Sequence, residues 1–193
     1  MHAPTRTHPG LTALVCLVAA TCALAAALET DGKFTEYALP NPASGPTTIS
    51  IAPDGNLWFT EGMIAEFDLP RTPGGPGDIT TGADGNLWFV ELNANRVARI
   101  TTGGKVTEFQ IPSPAGSPIN IAVGPDRNIW YTKQSKLGRV TPDGVITEFE
   151  IPTPNGGATG LTAGSDRQPP DRLTNKLWFT ESGGNKIAFL NFK

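Results

Sequence analysis

A short aromatic phrase recurs four times in this chain, and it constrains the fold more than any other feature. Leu57-Trp58-Phe59-Thr60-Glu61 returns as Leu87-Trp88-Phe89-Val90-Glu91, as Ile129-Trp130-Tyr131-Thr132-Lys133 and as Leu177-Trp178-Phe179-Thr180-Glu181. A second phrase alternates with it. Thr35-Glu36-Tyr37-Ala38-Leu39-Pro40 recurs at Ala65 to Pro70, Thr107 to Pro112 and Thr147 to Pro152. Two phrases in fixed alternation mark a repeated supersecondary unit, since one such unit alone cannot bury its own apolar face.

The third repeat supplies the template. Pro118 to Val123 reads as a strand that ends in the turn Gly124-Pro125-Asp126-Arg127, and Asn128 to Thr132 as a second strand. Lys136 to Val140 is a third and Val145 to Ile151 a fourth, with Thr141-Pro142-Asp143-Gly144 between them. Period-2 alternation and Gly/Asp turns are the marks of short antiparallel strands. Four strands in about 42 residues match one blade of a β-propeller. The expected fold is therefore all-β, with about four blades of four antiparallel strands spanning residues 28–193. On alternating faces, Trp58, Trp88, Trp130 and Trp178 and the aromatic that follows each pack between neighbouring blades. Phe67, Phe109 and Phe149 are inter-blade filler, with the preceding Glu exposed.

The repeats are unevenly spaced. Trp58 to Trp88 is 30 residues, Trp88 to Trp130 is 42 and Trp130 to Trp178 is 48. The short interval has lost a hairpin. The long one carries a polar insert, Ser165 to Arg172, expected to loop out. Lys33 to Leu39 reads as a fourth-type strand and Lys186 to Phe192 as a third-type strand. Pairing them would complete the last blade from both ends and remove an open edge. If four blades do not close a ring, their exposed faces favour self-association.

Residues 1–27 read as an export signal. Arg6 precedes an apolar run from Leu11 to Ala20, and small residues at Ala23 to Ala27 follow. The run is short for a spanning helix, so the mature protein is expected to be secreted, extracellular or periplasmic, and free of the membrane. Its removal would take with it both cysteines, Cys16 and Cys22, and both histidines, His2 and His8. Arg6 would go too, leaving 14 basic against 18 acidic residues and moving the net charge from −3 to −4. That balance, with no basic stripe, argues against a nucleic-acid partner. The mature inventory holds no thiol nucleophile, imidazole base or imidazole metal ligand.

One constellation of charges remains. In antiparallel strands the start of a first strand and the end of a second share one blade edge. Asp78 should therefore share a face with Glu61, Glu91 and Glu181. Two readings stay open: carboxylates around a channel mouth could hold Mg²⁺ or Ca²⁺, or each could be a solvated rim charge. The Asp-Gly pairs at Asp54, Asp84 and Asp143 read as turn formers.

The repeat from Ile79 to Glu91, with Asn95 to Thr101 after it, resembles the streptogramin (virginiamycin B) lyases over nearly all of the chain beyond the signal. The resemblance implies a seven-bladed propeller, of which this chain holds about four blades. It also implies Mg²⁺-assisted opening of cyclic depsipeptide antibiotics by elimination, with histidine and glutamate at the site. In that family histidine follows the proline that opens the inner strand. Here those places hold Thr47-Thr48, Gly77-Asp78, Ile119-Asn120 and Ala158-Thr159. None is histidine, so no catalytic residue carries over. The expected function is a non-catalytic module that binds a small molecule or protein at the channel face. The alternative is a lyase whose histidines come from blades outside this sequence.

Overall fold

The computed structural model describes residues 14–18, 45–61, 75–114, 116–168 and 172–192, which form strands and turns with no helix. The strands make four separate antiparallel sheets. The first contains β1 (Leu14–Val18), β2 (Pro46–Ile51) and β3 (Leu57–Glu61) in the order β1-β3-β2. The second runs β4 (Pro76–Thr81), β5 (Leu87–Glu91), β6 (Arg96–Ile100), β7 (Val106–Gln110), and the third β8 (Ile121–Val123), β9 (Ile129–Lys133), β10 (Lys136–Val140), β11 (Ile146–Glu150). The fourth holds β12 (Ala158–Gln168), β13 (Arg172–Glu181) and β14 (Lys186–Asn191). First strands touch in succession, β2 on β4, β4 on β8 and β8 on β12. The sheets thus radiate from a shared inner edge as blades do.

The aromatic phrases divide between blade faces as the alternation predicts. Trp58 packs in one cluster with Leu87, Phe89, Ala98 and Ile100 of the second blade. Trp88 lies with Ile129, Tyr131 and Val140 of the third, and Trp130 with Leu177 and Phe179 of the fourth. Every internal interface is therefore a Trp-bearing face laid on a Phe- or Tyr-bearing face. Burying a large side chain contributes roughly 1.5–3 kcal/mol, so this motif sets much of the adhesion between blades. Phe109 stacks on Trp88 at 5.4 Å and Phe149 on Trp130 at 5.5 Å.

The Asp turns anchor the same indoles. Asp84 accepts from Asn86 N and from Trp88 Nε1 at 3.1 Å, and Asp126 accepts from Trp130 Nε1 at 2.9 Å. Each indole lies over the turn glycine. A Cβ on Gly124 would stand 2.5 Å from Trp130 Nε1, so only glycine fits beneath the ring.

Several expectations are corrected. The described part of the insert, Ser165 to Gln168 and Arg172, does not loop out. It prolongs the β12–β13 hairpin, with pairing from Gly164↔Lys176 to Gln168↔Arg172, because backbone ladders form whatever the side-chain polarity. The first strand of the third repeat starts only at Ile121, after an irregular stretch that still bonds Ile119 N to Thr132 O at 2.9 Å. The third-strand position of the first sheet is taken by β1, which pairs with β3 from Leu14↔Glu61 to Val18↔Leu57. Cleavage behind residue 27 would remove that strand. The phrases at 35–40 and 65–70, and with them the expected pairing of Lys33 to Leu39 with the C-terminal strand, lie outside the described residues. So does Phe67.

Candidate functional site

The shared inner edge is built from one backbone irregularity repeated in the blades. The first strand of a blade opens opposite the last residue of its second strand: Pro46↔Glu61, Pro76↔Glu91 and Ala158↔Glu181. The register then shifts before resuming at Ile49↔Phe59, Ile79↔Phe89 and Leu161↔Phe179. Such a bulge frees backbone N–H groups that need acceptors. Threonine of the second strand supplies them. Thr60 Oγ1 accepts from Thr48 N at 3.3 Å, Thr132 Oγ1 from Asn120 N at 3.1 Å and Thr180 Oγ1 from Gly160 N at 2.9 Å. Val90 takes the threonine position in the second blade, and there Asp78 Oδ1 accepts from the next N–H along the strand, that of Ile79, at 2.9 Å.

The same groups tie each blade to the next. Thr48 Oγ1 donates to Gly77 O at 3.1 Å, and Thr132 Oγ1 donates to Thr159 O at 2.9 Å. Asp78 Oδ2 accepts from Asn120 Nδ2 at 3.2 Å and from Ile121 N at 3.1 Å. The belt is polar, but it is engaged in holding blades together.

The four carboxylates singled out from sequence have different surroundings. Asp78 is the clasp just described, with both oxygens accepting N–H donors. Of Glu61 only the backbone is described, at the end of β3. Glu91 and Glu181 are not solvated rim charges: they are 0% and 3% exposed. Neither Glu91 oxygen has a hydrogen-bond donor among the described residues, and one Glu181 oxygen lacks one. Arg96 Nη1 stands 3.7 Å from Glu91 and 3.5 Å from Glu108. Burial, reinforced by the Glu108 charge and only partly relieved by Arg96, pushes the Glu91 carboxyl up to about 7. Among the described residues no three of His, Cys, Asp and Glu are grouped to hold a metal ion. With Asp78 accepting three N–H donors and no carboxylate cluster around it among the described residues, this donor set does not fit Mg²⁺, which needs several open oxygen ligands.

Sequence reasoning missed a neighbouring network. Lys133 occupies in the third blade the place that Glu91 and Glu181 hold in theirs, and it is 1% exposed. Its Nζ donates to Asn95 Oδ1 at 2.7 Å, Ser113 O at 2.5 Å and Ser113 Oγ at 2.8 Å. Burial lowers its proton affinity, with the Glu148 charge opposing. Glu148, expected to be exposed, has a side chain only 10% accessible. It receives Ser113 N at 3.1 Å and Ser113 Oγ at 2.6 Å, and lies 3.5 Å from the Tyr131 hydroxyl. Glu108, with a side chain 9% accessible, is likewise half-buried rather than exposed. The signal in the sequence was the lone Lys in a position otherwise held by Glu.

Four radiating sheets with a Trp-face on Phe-face repeat and a bulged polar inner belt define part of a β-propeller. A model described as the virginiamycin B lyase family matches residues 60–193, and the chain belongs to that family. A selenomethionine-substituted virginiamycin B lyase from Staphylococcus aureus is 40% identical with a TM-score of 0.72, over 84% of this chain and 60% of that one. A catalytically inactive form of the S. aureus enzyme with histidine replaced by alanine, solved with quinupristin, is 40% identical with a TM-score of 0.70, over 82% and 58%. A streptogramin B lyase structure is 36% identical with a TM-score of 0.70, over 84% and 59%. The chain spans about three fifths of the length of these relatives. No curated protein matches the sequence.

Proposed function

We propose that this part of the propeller is a non-catalytic binding module, exported from the cell, that presents the channel face of the family to a ligand without carrying out the elimination. One observation carries the reading. At the four inner-strand openings stand Thr48, Asp78, Asn120 and Gly160, and the side chains of the first three are engaged in blade-to-blade hydrogen bonds. Elimination next to a carbonyl needs a base within hydrogen-bond reach of the substrate proton. Glu91 has a suitable proton affinity, but its side chain is wholly buried and out of a substrate's reach. Lys133 makes three donor contacts and has no free pair to accept a proton.

A second reading is supported by the coverage. Blades beyond this sequence would supply the histidine that the quinupristin-bound relative has lost to alanine, and with it a Mg²⁺-dependent lyase. Quinupristin is the probe that separates the two. Its binding is followed by calorimetry, and ring opening by chromatography, because the eliminated product is isomeric with the cyclic one. The expected result is saturable binding with no linear product, with or without Mg²⁺. Mg²⁺-dependent linearisation would overturn the non-catalytic reading, and an absence of binding would overturn the depsipeptide as ligand.

A further inference from the structure

We propose that Leu14–Val18 serves this chain twice: while attached it is the third strand of the first blade, and its removal with the export signal opens the edge of β3 to an extended apolar peptide strand. The first blade takes a strand from elsewhere because its own repeat is short. Trp58 and Trp88 lie 30 residues apart, against 42 for Trp88 and Trp130, and it is in the longer interval that β6 pairs with β5.

The residues of β1 follow the pattern of the third strands in the other blades. The second place of those strands is apolar, with Val97 opposite Val90, Leu137 opposite Thr132 and Ile187 opposite Thr180. In the first blade Val15 stands opposite Thr60. The third place is small: Ala98 opposite Phe89, Gly138 opposite Tyr131 and Ala188 opposite Phe179. The need is steric, since a Cβ on Gly138 would stand in the ring of Tyr131. Cys16, also small, stands opposite Phe59. The last place is apolar again, with Ile100, Val140 and Leu190 opposite Leu87, Ile129 and Leu177, and Val18 opposite Leu57. A slip of one residue would put Val15 or Leu17 in the small place, so the sequence fits this register and not its neighbours. The departure is in charge. Leu14 stands where the other strands open with Arg96, Lys136 and Lys186, which leaves the backbone ladder and apolar contact to hold β1.

The sheet order β1-β3-β2 makes β3 a central strand. Without β1, one row of its backbone N–H and C=O groups loses its partners next to Trp58 and Phe59, which are 0% and 6% exposed. An edge of that kind is a template for strand addition, in which main-chain bonds hold a peptide and alternate side chains select it. The peptide that fits runs antiparallel to β3 and reads as β1 does: apolar, small, any residue, apolar. This second half rests on the export reading above, whereas the strand assignment does not.

Cysteine pairs in the full chain test the strand, on a background of Cys16→Ser and Cys22→Ser. Val18 and Leu57 are register partners and Leu57 is 42% exposed, so Val18→Cys with Leu57→Cys should close a disulfide under mild oxidation. Leu17→Cys with Leu57→Cys, one place out of register, should stay open. If the first pair lowers the melting midpoint, Leu14→Cys with Glu61→Cys replaces it. An in-register pair that stays open, or equal closure out of register, would overturn the whole proposal. For the acceptor edge, a specific protease site placed behind Ala27 lets the segment be cut from the folded chain, wherever the cell itself processes it. The cut protein should take up a labelled peptide of residues 11–20 saturably, in exchange for its own, and should refuse the same peptide with Cys16→Pro, which cannot complete the ladder. No uptake, or equal uptake of the proline peptide, would overturn the acceptor edge and leave the strand assignment and the export reading standing.

Discussion

Glu91 offers the sharpest test of how the inner edge is built. Its side chain is fully buried, neither oxygen receives a hydrogen bond among the described residues, and the neighbouring cation, Arg96, sits at 3.7 Å and is shared with Glu108. The carboxyl is pushed from the ordinary 4.5 to about 7, a change in proton affinity worth ~3 kcal/mol. The sign follows from proton counting. Between pH 4.5 and about 7 the native protein retains a proton that the unfolded chain has released. Stability from this group is therefore fully present below 4.5, falls as pH rises through the window, and stays low above it. Glu91→Gln keeps the shape and removes the charge, and Arg96 keeps Glu108. The variant should be more stable than wild type at pH 8 by up to ~3 kcal/mol, and close to it at pH 4.5. Urea unfolding at several pH values, with the m-value unchanged, measures the difference curve directly. A variant less stable than wild type at pH 8, or a difference that does not vary with pH, would refute the reasoning.

Other perturbations probe the interfaces. Lys133→Met fills the same volume but strips a donor from Asn95 Oδ1 and two from Ser113. Thermal melts should show a loss of about 1–3 kcal/mol, and unchanged stability would mean that the ammonium is not the pin described. Asp126→Ala removes the acceptor of the Trp130 indole; a loss of ~1 kcal/mol with altered Trp emission is expected. At Gly138 the ring of Tyr131 lies where a Cβ would stand, so Gly138→Ala should cost about 1–3 kcal/mol by chemical denaturation, whereas alanine at Gly103, with only Thr101 Oγ1 at 3.8 Å, should be tolerated.

The blade architecture was legible because its signals are local. Period-2 alternation around Trp88 and Trp130, with Asp and Gly at fixed turn offsets, needs no knowledge of neighbours, and the faces these aromatics occupy follow from strand geometry. The inner edge was less legible because its burial comes from the adjacent blade. Glu91 and Glu148 look like exposed strand-end charges in sequence, yet each lies under residues from elsewhere in the repeat. The bulge that frees the N–H of Asn120 cannot be read from Pro118 to Ile121, since it depends on the Thr132 hydroxyl opposite. The insert before Arg172 was misjudged for the converse reason: polar composition suggested a loop, but strands that already pair at Leu161↔Phe179 can continue their ladder.

The equivalent positions Glu91, Lys133 and Glu181 show what the inner edge of this chain is built for. A catalytic position holds one chemistry fixed, because the reaction dictates charge and proton affinity. Here the same structural place carries either sign. Local partners answer each case: Arg96 stands near Glu91, while Asn95 and Ser113 receive Lys133. The threonine beside it varies too: Val90 takes its place in the second blade, where Asp78 Oδ1 accepts from Ile79 N. At the place of Glu91 and its equivalents, Lys133 fastens the third blade to Asn95 of the second, whereas Glu91 stands beside Arg96 of its own blade.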